Sequence, residues 1–208
     1  MHTNKQNNAI LLLILTIVVG ITYYFLVYLP IKSSLLYILG IIWNAMFAGT
    51  IGYILLRKDF TEQFKHFSWK TLAWGLPLTL FVGISSSLIY QAVIGPTTTN
   101  SIGSVITLQM ILLRIPFMIL GEELLSTNIL LALEKKGISF MWASIICAIL
   151  FALWHVPAYG WHPLQLICTL APTRLALNYV WKKSNSVWVS LACHFLFDCI
   201  TFIQFFVK

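Results

Sequence analysis

Residues 104–133 read SVITLQMILLRIPFMILGEELLSTNILLAL, an apolar run that carries two adjacent carboxylates, Glu122 and Glu123. The run is long enough to cross a hydrocarbon core of about 30 Å, which takes about 20 helical residues. A charged side chain at membrane depth costs at least about 2.5–3.5 kcal/mol on insertion scales. The run therefore indicates a membrane helix whose acidic residues have partners or a function.

The composition of the whole chain supports the same interpretation. Of its 208 residues, 59% are hydrophobic and only 9% are Asp, Glu, Lys or Arg, against about 25% in soluble domains. Lipid can replace water around a surface with so few charges. The formal charge of +7 is not gathered in a basic patch with interleaved aromatic residues. We therefore expect membrane lipid around the protein and no nucleic-acid partner.

Seven apolar runs follow one another along the chain, and each has about 20 residues or more. No repeat or linker separates them, so we expect a single all-α membrane domain over residues 1–208. This domain would be a polytopic bundle of about seven transmembrane helices. The runs cover approximately residues 9–30, 34–56, 71–94, 104–133, 138–158, 162–181 and 186–207.

The basic residues between the runs predict an orientation. With the N-terminus inside, nine Lys and Arg residues fall in inner segments, and only Lys32 and Lys208 fall in outer ones. Cytoplasmic loops of membrane proteins carry an excess of Lys and Arg. The sequence therefore predicts a multi-pass protein of the cell membrane, with a cytoplasmic N-terminus and a C-terminus outside.

Five titratable side chains lie inside the apolar runs: Glu122, Glu123, His155, His194 and Asp198. Adjacent helical residues point about 100° apart, so the two glutamates reach different neighbours. His194 and Asp198 are four residues apart and share one helix face. We expect three of the helices to gather these side chains around one polar cavity.

Three short motifs contain these residues, in order and in successive runs. They are Glu122-Glu123-Leu-Leu-Ser-Thr127, Phe151-Ala-Leu-Trp-His155 and His194-Phe-Leu-Phe-Asp198. Together they resemble the EExxxR, FxxxH and HxxxN or HxxxD signature of the CPBP intramembrane proteases, also called the CAAX-prenyl-protease-like or Abi family. The resemblance covers about residues 104–205.

One position departs from that signature, because Thr127 stands where the family has arginine. Two other basic residues, Arg114 and Arg174, lie inside apolar runs, and we expect them to pair with the buried acids or to snorkel to the membrane surface rather than to bind substrate. Arg114 lies two turns before Glu122 and is our candidate for the missing arginine. The departure also leaves open that the protein is an inactive member of the family.

The resemblance implies a role for each residue of the site. Glu122 would act as general base and activate a water molecule together with His155. His194 and Asp198 would stabilise the tetrahedral oxyanion, and Glu123 would hold the geometry of the site. This mechanism needs no cofactor. Two histidines and a glutamate can also bind zinc, so zinc at Glu122, His155 and His194 remains an alternative.

Three classes of function are compatible with these features. The first is an intramembrane endopeptidase that cuts a peptide or a membrane-tethered protein, for example a lipidated protein or a bacteriocin-like peptide. The second is a non-catalytic bacteriocin self-immunity protein or membrane scaffold. The third is a proton-coupled carrier with a Glu and His relay, which usually has internal repeats that this sequence lacks. We expect the first.

Overall fold

The computed structural model describes residues 2–206, and all regular structure within them is helical. The predicted all-α class is confirmed for this part of the chain, which contains ten α-helices and three short 3-10 helices. The α-helices are α1 (His2–Phe25), α2 (Ser33–Leu56), α3 (Lys58–Glu62), α4 (Trp69–Val93), α5 (Leu108–Leu113), α6 (Ile115–Lys135), α7 (Phe140–Leu153), α8 (Val156–Tyr159), α9 (Pro163–Ser184) and α10 (Val187–Phe202).

Within residues 2–206, five helical segments are long and apolar enough to cross a membrane, so this is a multi-pass membrane protein. Helix α7 is apolar but has only 14 residues, and α9, with 22 residues, is not among the five. The predicted count of seven spans is therefore approximate, and the orientation stays a prediction. The five segments are Asn7–Tyr28, Ser33–Leu56, Trp69–Val93, Ile115–Lys135 and Val187–Phe205.

The fourth predicted run, residues 104–133, is broken rather than continuous. Arg114 separates α5 from α6 with φ −115° and ψ −51°. Pro116 explains the break, because in a continuous helix its ring would clash with the carbonyl of Leu112 and leave that carbonyl without a donor. Helix α6 therefore starts anew at Ile115, and Glu122 is its eighth residue.

The fifth predicted run, residues 138–158, is interrupted in the same way. Helix α7 ends at Leu153, and the short helix α8 carries Pro157 in its first turn. Pro157 disfavours a continuous helix here, because its ring would meet the carbonyl of Leu153. His155 consequently lies in the bend between the two helices.

Helix α6 is the central element of the bundle. It packs against α1, α2, α7 and α10. In its most apolar stretch of 18 residues, 67% of the residues are buried. It lies close to the backbone of α2 at Gly121, where a Cβ would lie 2.8 Å from the backbone nitrogen of Ala45. Small residues at such crossings let membrane helices approach closely. Helix α4 packs against α9 and α10.

Replacing Gly121 by alanine is expected to destabilise the bundle, because the added methyl group would meet backbone that cannot move aside. Overpacking of this kind costs about 1–3 kcal/mol. The measurement is the thermal unfolding midpoint of the purified protein in detergent. Gly49→Ala is the matched control, since its Cβ would lie 3.5 Å from Leu124 in ordinary contact. Equal midpoints for the two variants would contradict this account of the crossing.

Candidate active site

Four of the five predicted polar residues line one cavity of about 370 Å³, whereas Glu123 is buried outside it. Glu122 reaches it from α6, and His155 reaches it from the bend after α7. His194 and Asp198 reach it from α10, one helical turn apart. Phe151 from the last turn of α7 completes this part of the wall. Three elements that are distant in sequence thus contribute to one site.

The side chains of His155 and His194 converge on one carboxylate oxygen of Glu122. Oε2 of Glu122 lies 4.0 Å from Nε2 of His155 and 3.8 Å from Nε2 of His194. Both gaps are longer than a direct hydrogen bond of about 2.6–3.2 Å. The Glu122 side chain is 28% exposed, so its carboxylate is accessible from the cavity. The expected convergence of these three residues is found in the structure.

The spacing of Phe151 and His155 fixes the orientation of the histidine ring. Nδ1 of His155 lies 2.8 Å from the carbonyl oxygen of Phe151. A carbonyl oxygen can only accept a hydrogen bond, so Nδ1 carries the proton. Nε2 of the neutral ring therefore presents its lone pair to Glu122. The Phe151 ring packs 4.6 Å from the His155 ring and 5.9 Å from the His194 ring, between centroids.

Glu123 makes a fully buried ion pair with Arg174 of α9. Nη1 of Arg174 donates to Oε1 of Glu123, and Nη2 donates to Oε2 at 3.1 Å. The same Oε1 lies 2.9 Å from Nδ1 of His194. A carboxylate bound by a guanidinium accepts hydrogen bonds, so His194 donates through Nδ1. Its Nε2 is thereby turned towards Glu122, as a carboxylate often orients a functional histidine.

A further pair of hydrogen bonds holds Arg174 in place. Nε of Arg174 donates to Oδ1 of Asn178 at 2.8 Å. Nδ2 of Asn178 donates to Oγ of Ser144 on α7 at 2.9 Å. All three residues are buried. The chain of contacts therefore connects α7 and α9 to the carboxylate of Glu123 on α6.

The guanidinium at the site comes from Arg174 and not from Arg114, the replacement that the sequence had suggested for the motif arginine. The guanidinium of Arg114 lies over the ring of Tyr37, 4.0 Å from its centroid. Thr127 is buried, and its hydroxyl donates to the carbonyl of Leu124 at 3.4 Å. The signal for Arg174 in the sequence was a basic residue inside an apolar run, four positions before Asn178.

Asp198 lines the cavity with His194, but the two side chains differ in their contacts. Within residues 2–206, the Asp198 carboxylate makes no hydrogen bond, whereas its backbone carbonyl accepts one from Thr201 at 3.0 Å. The structure thus places Asp198 beside the converging residues. Its part in stabilising an oxyanion stays a prediction.

The geometry also bears on zinc at Glu122, His155 and His194. Zinc bonds of about 2.0–2.2 Å would bring tetrahedral ligand atoms about 3.3 Å apart. The corresponding separations from Glu122 are 3.8 and 4.0 Å. Among the described residues, no group of three or more His, Cys, Asp or Glu side chains is arranged to hold a metal ion. Zinc at these residues therefore stays a prediction.

Fold and site together define a helical membrane protein with a glutamate and two histidines converging inside the bundle. A family model described as Rce1-like, type II CAAX prenyl endopeptidase, matches residues 104–200, which include all three motifs. This match, over somewhat less than half of the chain, supports the CPBP/CAAX protease family that the motifs had indicated. Neither the comparison with curated proteins nor that with solved structures produced a match.

Removal of Arg174 is expected to destabilise the protein severely, because Glu123 would remain buried without its counter-charge. Breaking one half of a buried pair costs about 3–5 kcal/mol. Thermal unfolding of Arg174→Leu, Glu123→Leu and the double variant in detergent would measure the coupling. We expect the double variant to be more stable than the sum of the two single losses predicts. Additive losses would show that the pair contributes little as a unit.

Proposed function

We propose that this protein is an intramembrane endopeptidase that cleaves a peptide or a membrane-tethered protein with water activated by Glu122 and His155. The observation that carries the proposal is the convergence of Nε2 of His155 and Nε2 of His194 on Oε2 of Glu122, at 4.0 and 3.8 Å. The match of residues 104–200 to a family of endopeptidases supports the same class of reaction.

The separation between Glu122 and His155 suits a water molecule placed between them. Such a water would donate one hydrogen to the carboxylate and the other to the Nε2 lone pair of His155. Glu122 takes a proton as the water oxygen attacks the carbonyl carbon of the scissile peptide. When the carbon–nitrogen bond breaks, the same carboxyl group returns that proton to the leaving nitrogen.

The oxyanion formed in the attack needs a hydrogen-bond donor, and His194 is placed to provide one. Its Nδ1 proton is already engaged with Glu123, at 2.9 Å. Nε2 can therefore donate only when both ring nitrogens are protonated. Asp198 lines the cavity one turn further along α10 and would support the oxyanion as a donor in its protonated form.

Thr127 is compatible with an active enzyme. In the signature that the chain resembles, the arginine at this position would pair with a carboxylate. Here Arg174 makes that pair with Glu123 from another helix, through both oxygens of the carboxylate. Glu123 therefore has a guanidinium partner although Thr127 replaces the motif arginine.

Glu122→Gln is expected to abolish cleavage and to leave the protein folded. Glutamine keeps the shape of the side chain but cannot accept the proton of water. The assay incubates the full chain in lipid nanodiscs with a defined mixture of synthetic peptides and identifies the products by mass spectrometry. Glu134→Gln is the control on the same helix, because Glu134 pairs with Lys182 away from the site and should retain full activity.

The same substitution separates the protease from the immunity protein and the scaffold. A non-catalytic protein that protects cells from a membrane-active peptide would keep its protective effect with glutamine at position 122. Full function of Glu122→Gln at normal expression would therefore refute catalysis.

His155→Ala and His194→Ala are each expected to lower the turnover number strongly. The loss of an oxyanion donor costs about 10²–10³ in rate, and we expect a comparable loss when the attacking water is misplaced. Steady-state kinetics on a cleaved peptide would give the values, and circular dichroism would check the fold. Activity within a factor of about three of the wild type would exclude the assigned role.

Chelators are expected to leave the activity unchanged, because the proposed reaction uses only side chains and water. The test dialyses the protein against 1,10-phenanthroline and measures cleavage before and after addition of zinc. Loss of activity that zinc restores would establish the zinc alternative at Glu122, His155 and His194 instead.

A further inference from the structure

A second cavity, also of about 370 Å³, adjoins the first at the candidate active site. Helices α1 and α2 form much of its wall, through Tyr23, Tyr24, Gly40 and Asn44 among others. The first cavity is instead bounded by α4, α9 and α10. Both are lined by Glu122, Phe151 and His155. The residues proposed to activate water therefore stand where the two cavities meet.

The wall of the second cavity is mainly apolar and aromatic, because its tyrosine hydroxyls are engaged elsewhere. The hydroxyl of Tyr23 donates to the carbonyl of Gly40 at 3.0 Å, and that of Tyr24 donates to the carbonyl of Trp154. The rings of Tyr23, Tyr24 and Trp154 remain as lining. Such a surface favours a ligand with a bulky apolar body.

Asn44 adds one polar requirement to this wall. Its side-chain oxygen is buried and has no hydrogen-bond partner among the described residues. A buried polar atom without a partner costs about 1–3 kcal/mol. Asn44 lines the cavity, so a peptide backbone, which brings hydrogen-bonding groups beside each side chain, can pair with the amide once the Asn44 side chain turns towards the cavity. A plain hydrocarbon chain has no such group.

We propose that the second cavity is a substrate subsite, which takes an aromatic or branched aliphatic side chain and the adjoining backbone amide on one side of the scissile bond. This inference rests on the proposed endopeptidase function. An endopeptidase has to hold the chain on both sides of the bond that it cuts. With the scissile carbonyl at Glu122 and His155, the two flanking segments extend into the two cavities.

Gly40 allows the second cavity to be filled without disturbing the packing around it. A Cβ built at Gly40 meets no heavy atom within 4 Å. Gly40 and Asn44 are four residues apart on α2 and share one face, and both line the cavity. Gly20 differs, because a Cβ there would lie 2.6 Å from the ring of Trp154. Gly40→Leu therefore directs a side chain into the cavity.

The test compares cleavage specificity between two variants that fill different cavities. The full chain in lipid nanodiscs is incubated with synthetic peptides that vary at both residues flanking the cut. Gly40→Leu should slow peptides with Trp, Phe or Leu on one side of the bond at least tenfold, and should spare those with Ala or Gly there. Ser87→Leu, which lines only the first cavity, should alter the preference on the other side. Equal effects on all peptides, or none, would overturn the subsite.

A binding measurement keeps the inference testable if the wild-type protein cleaves none of the peptides, which would refute the proposed function. Gly40→Cys is combined with Glu122→Gln and with serine at Cys168 and Cys199, the two cysteines that are not buried. A peptide with two adjacent phenylalanines should slow labelling by N-ethylmaleimide at least fivefold, relative to an all-alanine peptide. No difference between the peptides would reject the subsite. The measurement is repeated in nanodiscs of lipids with different acyl-chain lengths. A labelling rate that changes only with the chain length would assign the cavity to lipid and would also reject the subsite.

Discussion

The buried pair between Glu123 and Arg174 is the interaction on which the rest of the site depends. It joins α6 to α9 through both carboxylate oxygens, and His194 of α10 shares one of those oxygens. Both side chains are fully excluded from solvent, so the pair places two charges inside the bundle with no net charge. Without Glu123 in this position, Nδ1 of His194 would lose the acceptor that orients its ring.

The pair also explains why two adjacent glutamates have different environments. Because neighbouring helical residues point about 100° apart, Glu123 faces α9 and α10 while Glu122 faces the cavity. Glu123 is completely buried, whereas the Glu122 side chain is 28% exposed. One carboxylate is therefore held by a guanidinium, and its neighbour is left with room for water. Of the two adjacent glutamates, Glu123 thus stabilises the structure, and Glu122 is available for chemistry.

The sequence predicted the all-α class and the residues that meet, because both depend on local patterns. Apolar runs of membrane length indicate helices, and the four-residue spacing of Phe151 and His155 places the ring of one beside the carbonyl of the other. The partner of Glu123 could not be predicted from such a pattern. Arg174 lies 51 residues further along the chain, and the contact depends on how α6 and α9 pack. The second cavity was beyond the motifs as well, since α1 and α2 precede the segment that carries them.

Helix α9 has a consequence for how the protein enters the membrane during synthesis. It has 22 residues but contains Arg174 and Asn178, and it is not among the five segments apolar enough to cross a bilayer. An arginine at the centre of a span costs about 2.5–3.5 kcal/mol at insertion. Helix α6 is synthesised earlier and carries the counter-charge. We expect α9 to leave the translocon only when it is docked on α6, so that biogenesis of the last helices depends on a partner already in the bilayer.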